Sequence, residues 1–118
     1  MSALDLTQEV IDKASKEAVE GAKRVMKSDL VEAILYGSCA RGDFHADSDI
    51  DIALITKCGR TEIDKYNDAL AWVATEIIAK YLSAIVNFAC IPEDEYREKK
   101  RWYFYYKNID VEGKIIYG

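Results

Sequence analysis

Apolar residues recur along the chain with two spacings, one typical of helices and one typical of strands. Between residues 5 and 28 they return every third or fourth position, which predicts an amphipathic helix. Asp5, followed three residues later by Gln8, fits a capping box at the start of this helix. The predicted apolar face consists of Ile11, Ala14, Ala18, Ala22 and Val25.

Three short segments have the composition or alternation of β-strands. Residues 30–37 (LVEAILYG) are rich in branched apolar side chains and end at a glycine. Residues 49–55 (DIDIALI) alternate, so that Asp49 and Asp51 share one face of the predicted strand and the isoleucines share the other. Residues 84–91 (AIVNFACI) show no such alternation, and we expect this strand to be buried on both faces.

Two further helical regions and a final strand complete the pattern. Thr61 is predicted to cap a helix that runs to about Tyr81. Pro92 suits the first turn of another helix, or of two short helices, over 93–107. The ending EGKIIYG fits a turn and a short strand. This order predicts one α/β (α+β) domain spanning residues 1–118, with a small mixed sheet flanked by helices.

The charge balance narrows the choice of partner. The net charge is -5, which argues against direct binding to nucleic acid, because that binding depends on an excess of basic residues. A nucleotide is still compatible, since metal ions can screen its phosphates. The sequence has neither a run of about 20 apolar residues nor a secretory signal, so we expect a cytoplasmic protein without a membrane helix. Its three cysteines are expected to be free, buried or partly buried thiols.

The predicted second strand carries the strongest chemical signal. Two neighbouring carboxylates on one face would repel each other, and one of them would tend to protonate. A bound Mg²⁺ removes this conflict, because Mg²⁺ prefers oxygen ligands and leaves room for water and phosphate. Asp49 and Asp51 are therefore the predicted metal ligands.

The turn that precedes these aspartates has features of a phosphate site. Gly37 permits a close approach of the backbone, and N–H groups around Ser38 can attract phosphate oxygens. Arg41 supplies a planar cation that matches phosphate, and Gly42 can adopt the left-handed conformation that reverses the loop. A triphosphate bridged by Mg²⁺ needs this turn and the two aspartates together.

Other motifs fit this segment poorly. The stretch GSCARGDF has the two glycines of a P-loop, but Asp43 and Phe44 stand where lysine and Ser or Thr are required. A calcium loop would need a glycine at Ser48 and a glutamate at Leu54. A plain hairpin loop with solvated acids is the remaining alternative, although unpaired neighbouring carboxylates on a strand are unfavourable.

The full pattern is Gly37-Ser38, ten residues, Asp49, one residue, Asp51. It resembles the signature of the polymerase-β-type nucleotidyltransferase superfamily, and the string GSCARGDFHADSDIDIAL is similar to its minimal nucleotidyltransferase (MNT) branch. The resemblance implies the nucleotidyltransferase fold and a reaction in which an acceptor hydroxyl attacks the α-phosphate of ATP. It also implies that Asp49 and Asp51 are the catalytic residues that hold Mg²⁺ against the triphosphate. The phosphates would be contacted by Gly37, Ser38, Arg41 and the backbone N–H of Ser48.

One position departs from that superfamily. Full members carry a third carboxylate on the later strand, whereas Asn87 is the only polar residue in the middle of that strand here. An amide can bind a metal weakly but cannot act as a base. A partner or Asp43 could supply the missing group, or the protein could bind nucleotide without transferring it.

The resemblance also implies a partner. MNT proteins are commonly antitoxins of HEPN-domain toxins, and they can transfer AMP from ATP to a tyrosine of the toxin. Two alternatives remain open, namely a non-catalytic antitoxin that binds nucleotide or docks on its partner, and a small-molecule nucleotidyltransferase. A homo-oligomer is compatible with the sequence.

Aromatic residues outside the motif are interpreted structurally. We expect Trp102, Phe104 and Tyr105 to pack on the sheet, with partner docking or stacking on nucleic acid as alternatives. Tyr36 and Trp72 are interpreted as core or pocket wall. The single histidine, His45, is expected to be exposed in a loop.

Overall fold

Six helices and four strands form the part of the chain that the computed structural model describes, residues 5–118. The helices are α1 (Gln8–Met26), α2 (Ser38–Arg41), α3 (Arg60–Ile63), α4 (Asn67–Tyr81), α5 (Glu93–Lys99) and α6 (Phe104–Glu112). The strands are β1 (Leu30–Tyr36), β2 (Ile50–Thr56), β3 (Val86–Pro92) and β4 (Lys114–Tyr117). Short 3-10 turns occupy Lys27–Asp29 and Asp64–Tyr66. The predicted α/β fold class and the short final strand are confirmed.

The four strands form one mixed sheet in the order β3-β2-β1-β4. Strand β1 is antiparallel to both β2 and β4, whereas β2 and β3 are parallel. The end of β1 and the starts of β2 and β3 therefore lie at the same end of the sheet. At this end Asp51 of β2 lies between Tyr36 of β1 and Asn87 of β3.

Both faces of the sheet carry apolar side chains, and different helices pack against each face. On the first face, isoleucines and leucines of β1 and β2 pack with residues of α1 and α4; among them are Leu35, Ile50, Ile52, Leu54, Ile11, Leu70 and Ile77. The second face packs against α5 and α6, with Ile34, Ala53, Ile55, Ile91, Tyr96, Tyr106 and Ile109. Since side chains alternate along β2, Asp51 belongs to the second face.

Two predicted helix starts are wrong by a few residues. Helix α1 begins at Gln8 and ends at Met26, and its N-cap is Thr7 rather than Asp5. The Thr7 hydroxyl accepts the N–H of Val10 at 3.2 Å, which satisfies one N–H group of the first turn. Gly59, rather than Thr61, is the N-cap of α3. The long predicted helix is divided into α3, a 3-10 turn and α4.

The expectation that the third strand is buried on both faces is wrong. Strand β3 lies at the edge of the sheet, where Asn87 is exposed and the next three residues are only partly buried. Pro92 is the last residue of β3 and the N-cap of α5, not a residue of the first helical turn. The alternative of two short helices after Pro92 is confirmed, but the second helix ends at Glu112, beyond the predicted end at residue 107.

The exposure of the aromatic segment, residues 97–107, also differs from its prediction. Trp102, Phe104 and Tyr105 are 66%, 74% and 42% exposed, because Tyr96 and Tyr106 take the interior positions on the second face. Trp72 is exposed as well, so its interpretation as core or pocket wall is wrong, while Tyr36 is half-buried against the second face. The three cysteines are free, and each is buried or partly buried as predicted.

None of the helices in residues 5–118 is both long and apolar enough to cross a membrane.

Candidate active site

Two carboxylates lie where β1 ends and β2 begins. Asp49 directly precedes β2, and Asp51 is the second residue of that strand. The Asn87 side chain reaches both of them, so the two acids lie side by side, in agreement with their predicted placement on one face of the strand. We call Asp49 and Asp51 the carboxylate pair.

Asn87 joins the two acids through one nitrogen. Its Nδ2 donates to Asp49 Oδ2 at 2.8 Å and lies 3.4 Å from Asp51 Oδ1. The parallel register, which aligns Asn87 with Asp51, brings the amide to this position. A neutral donor therefore offsets part of the repulsion between the carboxylates at the position where the sequence lacks a third acid.

The pKa of Asp51 indicates that the carboxylate pair is not fully compensated by positive charge. Burial raises the pKa of the Asp51 carboxyl, the hydrogen bond from Asn87 lowers it, and the charge of Asp49 raises it again. The net pKa is above the ordinary value, so the charged form of Asp51 is disfavoured. A divalent cation between the two carboxylates would reverse this preference.

The donor set fits a Mg²⁺ ion that keeps water or phosphate oxygens as further ligands. Two carboxylates and, after rotation of its amide, the Asn87 oxygen can provide hard oxygen ligands. Within residues 5–118, no group of three or more His, Cys, Asp or Glu residues is arranged to hold a metal. The two carboxylates and the Asn87 amide leave further coordination positions of a Mg²⁺ ion open to water and to substrate oxygens.

The turn at residues 37–42, which we call the phosphate-type turn, lies directly against Asp51 of the carboxylate pair. A Cβ atom at Gly37 would lie 2.9 Å from Asp51 Oδ2, and the backbone there has φ of 75°. A side chain at this position would displace the Asp51 carboxylate, and the left-handed backbone would be strained in any residue other than glycine. Helix α2 starts at the next residue, Ser38, and Gly42 ends it in the left-handed conformation predicted for it.

Arg41 is held by two acids in this structure. Its Nη1 donates to Glu112 Oε2 at 3.0 Å, and its Nε lies 3.3 Å from Asp43 Oδ2. Both contacts raise the pKa of the guanidinium, with that to Glu112 the stronger. Arg41 is the last residue of α2, and its charge is compensated by Glu112 at the end of α6. A phosphate would compete with these carboxylates for it.

Ser48 also has partners within its own loop. Its backbone N–H donates to the His45 carbonyl at 3.0 Å, and its hydroxyl accepts the His45 N–H at 3.0 Å. The predicted contact of the Ser48 N–H with phosphate would therefore share or replace the bond to His45. His45 is exposed as predicted, and its Nδ1 accepts the N–H of Asp47 at 3.2 Å.

Two side chains around the pair were not singled out from the sequence for these contacts. The buried Cys39 thiol donates to the Asp49 carbonyl at 3.3 Å, and burial raises its pKa to about 11, so it remains a protonated donor. Tyr36 exchanges a hydrogen bond of 2.6 Å with the hydroxyl of Tyr105. Strand alternation could have placed Tyr36 on the Asp51 face, whereas the contact with Tyr105 depends on tertiary packing.

A cleft of about 590 Å³ opens beside Asn87, between β3 and the helices α3 and α4. Most of the residues that line it are apolar, and among the described residues none of those lining it carries a charge; they are Ile63, Asn67, Leu70, Ala71, Ala74, Val86, Asn87, Phe88 and Cys90. Asn87 thus belongs both to this cleft and to the surroundings of the carboxylate pair.

Comparison with known proteins agrees with the fold and the motif. Residues 16–117 match the family model described as the nucleotidyltransferase domain. A protein of Methanocaldococcus jannaschii, provisionally named a protein adenylyltransferase, is 32% identical over 106 residues, which cover 90% of this chain and 97% of that protein. The match therefore spans almost the whole length of that relative.

Solved structures show the same fold at lower identity. A mutant of the toxin–antitoxin pair MntA–HpeT is 20% identical with a TM-score of 0.55, and a toxin–antitoxin structure with AMP-PNP is 21% identical with a TM-score of 0.53. Each match covers 96% of this chain and 74% of the other. A provisionally named nucleotidyltransferase from Sulfolobus solfataricus is 23% identical with a TM-score of 0.52, covering 98% of this chain and 86% of that one. The resemblance to nucleotidyltransferases is confirmed, and the chain belongs to the nucleotidyltransferase domain family.

Proposed function

We propose that this nucleotidyltransferase transfers AMP from ATP to a tyrosine hydroxyl of a HEPN-domain toxin, with Mg²⁺ as cofactor, and thereby acts as its antitoxin. The name of the 32% identical relative supports protein adenylylation. The toxin–antitoxin neighbours, one of them with AMP-PNP, support the choice of partner and of an adenine nucleotide. Because the reaction uses cellular ATP, we place it in the cytoplasm.

The observation that carries the proposal is the carboxylate pair against Gly37. Asp51 is partly buried beside a second carboxylate, and the one side-chain donor shown to contact both acids is the neutral Asn87 amide. A turn that can approach phosphates lies within contact distance of Asp51. An arrangement that is unfavourable alone becomes favourable when a metal-bound triphosphate occupies it.

Each residue of the motif has a role in this reaction. Asp49 and Asp51 would hold Mg²⁺, which when bound neutralises charge on the triphosphate and orients it. Gly37 and Ser38 would place backbone N–H groups against the β- and γ-phosphates. Arg41 would exchange Glu112 or Asp43 for a phosphate oxygen, and Ser48 would add its N–H from the opposite side of the loop. Positioning of these groups supplies most of the catalysis expected for phosphoryl transfer.

The missing third carboxylate bears on how the acceptor loses its proton. Asn87 cannot accept a proton, and Asp43 is paired with Arg41 at 3.3 Å. This pairing argues against Asp43 as a substitute base. A phenol suits such a site better than an aliphatic alcohol, because its ordinary pKa of about 10 makes it a better nucleophile near neutral pH.

Asn87 also favours a second candidate function. The amide occupies the position of an acid and bonds both members of the carboxylate pair, so the protein could bind nucleotide and its toxin without transferring AMP. In that case the antitoxin would act by occupancy alone. The two candidates share the partner and differ in the covalent product.

The test is incubation of the purified protein with α-labelled ATP, Mg²⁺ and lysate of its source cells, followed by mass spectrometry of any labelled protein. We expect one labelled HEPN protein with the wild type and none with Asp49→Asn. Asp47→Asn, which removes an exposed acid from the same loop, is the matched control and should retain labelling. ATP binding without any labelled product would instead support the binding-only antitoxin.

A further inference from the structure

We propose that the acceptor is an extended polypeptide segment that lies along the open edge of β3, with its tyrosine facing the carboxylate pair and the adjacent side chains in the cleft between β3 and α4. This inference rests on the proposed function and adds to it the position and conformation of the acceptor.

The order of the strands sets the direction of attack. Gly37, at the end of β1, marks the side from which the phosphate-type turn reaches Asp51, and β3 lies on the other side of β2. In phosphoryl transfer the attacking and leaving oxygens lie roughly in line across the phosphorus. Pyrophosphate that leaves toward Gly37 therefore requires an acceptor hydroxyl from the side of Asn87, where the cleft opens.

The outer edge of β3 is available for pairing with a segment of this kind. In residues 5–118, no strand pairs with β3 on the side away from β2. The Ile50 N–H bonds the Ile85 carbonyl, and the parallel register then directs the backbone groups of Val86, Phe88 and Cys90 outward. Arg60 Nη1 lies 3.4 Å from the outward Cys90 carbonyl, so the edge is covered there, whereas Val86 and Phe88 flank Asn87.

Alternation of side chains connects this edge to both the acids and the cleft. Asn87 contacts the carboxylate pair, while the side chains of Val86 and Phe88 point to the opposite face and line the cleft. A strand added to β3 alternates in the same way. When its tyrosine lies on the Asn87 face, the residues before and after the tyrosine enter the cleft.

The lining of the cleft indicates which neighbours the tyrosine has. The chain carries a net charge of -5, yet within residues 5–118 no charged side chain lines the cleft. Its leucine, valine, phenylalanine and alanine side chains favour apolar residues, and burial of a charged one would be unfavourable. We therefore infer an acceptor with apolar residues on both sides of the tyrosine.

The transfer itself is balanced with these groups. The phenolic oxygen forms a bond to the α-phosphorus of ATP, and the bond from that phosphorus to the β-phosphate oxygen breaks. Pyrophosphate leaves with the electron pair, and the phenolic proton passes to water. The products are the adenylylated tyrosine, pyrophosphate and a proton.

The experiment uses the purified chain with ATP, Mg²⁺ and either of two peptides, acetyl-Val-Tyr-Val-amide or acetyl-Asp-Tyr-Asp-amide, with adenylylation measured by mass. A second arm fills the cleft with Ala71→Trp and compares it with Ala69→Trp, an exposed position on the same helix that does not line the cleft. Binding of AMP-PNP to each variant checks that the nucleotide site is intact.

We expect the apolar peptide to react at least about tenfold faster than the acidic one in kcat/KM. Ala71→Trp should lose about tenfold against that peptide and keep its affinity for AMP-PNP, whereas Ala69→Trp should match the wild type. Equal rates for the two peptides, or equal activity of the two variants, would show that the cleft does not bind the residues beside the acceptor tyrosine. The proposed AMP transfer would still stand. Absence of transfer to any peptide or protein would remove the proposed function and this inference together.

Discussion

Two acids on the second face of the sheet have opposite environments. Glu95 of α5 accepts hydrogen bonds from Arg60 and from the Tyr106 hydroxyl. These bonds, that from Tyr106 first, lower the pKa of Glu95 against the opposing effect of burial. Asp51 has a second carboxylate and one neutral amide beside it, and its pKa is raised. The first acid has its cation within the fold, and the second requires one from outside.

This difference separates an acid that stabilises the fold from an acid that serves a reaction. The Arg60–Glu95–Tyr106 cluster is complete without a ligand, and Arg60 also ties α3 to the edge of β3 through the Cys90 carbonyl. The carboxylate pair is complete only when a cation and its phosphates are present. Functional sites commonly retain such unfavourable charge, which costs stability in the free protein.

The largest expected effect comes from changing the neutral member of the site. Asn87→Asp should place three carboxylates together and raise the affinity for Mn²⁺, used as a probe for Mg²⁺, by about tenfold or more. The same change should lower the melting temperature of the metal-free protein, because the third charge loses the two Asn87 hydrogen bonds and adds repulsion. Calorimetric titration with Mn²⁺ and thermal unfolding with EDTA measure both effects.

The matched control for this change is Asn67→Asp. Asn67 lines the same cleft from the first turn of α4, so the charge change is equal, but the residue belongs to the opposite face of the sheet from the pair. If both variants shifted Mn²⁺ affinity equally, the effect would be a long-range one of net charge and Asn87 would have no special place in the site.

Much of this site could be predicted from the sequence, and the parts that could not have a physical reason. Gly37, Ser38, Asp49 and Asp51 are recognisable because their spacing along one chain segment reflects one turn and one strand. The bond from Asn87 depends on the register of β2 with β3, and the Arg41–Glu112 pair joins residues 71 apart. Periodicity carries no information on contacts of that range.

The same limit explains the aromatic segment. The pattern of 97–107 predicts an amphipathic helix with its aromatic residues on the sheet. In the structure Tyr96 and Tyr106 take the buried positions on the second face, and the aromatic residues between them remain exposed. The edge position of β3 could likewise not be predicted from the sequence, because a run of apolar residues occurs in central and edge strands alike.

A smaller effect on stability is expected when Glu95, whose charge is already compensated within the fold, is replaced. Glu95→Gln removes the charge that Arg60 and Tyr106 share, so the free energy of unfolding should fall by about 1 kcal/mol at neutral pH. Since the folded pKa of Glu95 is lowered, this loss should shrink as the pH falls through that pKa. Urea denaturation measures it, with Glu98→Gln, an exposed acid of the same helix, as control. Any dependence of the loss on Mg²⁺ would contradict the division between the two acids.

The smallest effect, and the one of opposite sign, is expected at Asp51. Asp51→Asn should raise the free energy of unfolding of the metal-free protein by less than about 1 kcal/mol at neutral pH, because it removes a partly buried charge beside Asp49. A raised folded pKa means that the wild type gains stability as the pH falls from neutral through that pKa. The advantage of the variant should therefore disappear in acid, where Asp51 is protonated in both the folded and the unfolded state.

Added Mg²⁺ and ATP should reverse the order of the two proteins. They stabilise the wild type by binding to its folded state, and Asp51→Asn, with one carboxylate left, should gain much less. Thermal unfolding with EDTA and with Mg²⁺-ATP gives both comparisons, and Asp47→Asn in the exposed loop should follow the wild type in each. A variant less stable than the wild type in EDTA would show that Asp51 acts in the free fold as Glu95 does. Its charge would then be compensated without a ligand, and the distinction between the two acids would be lost.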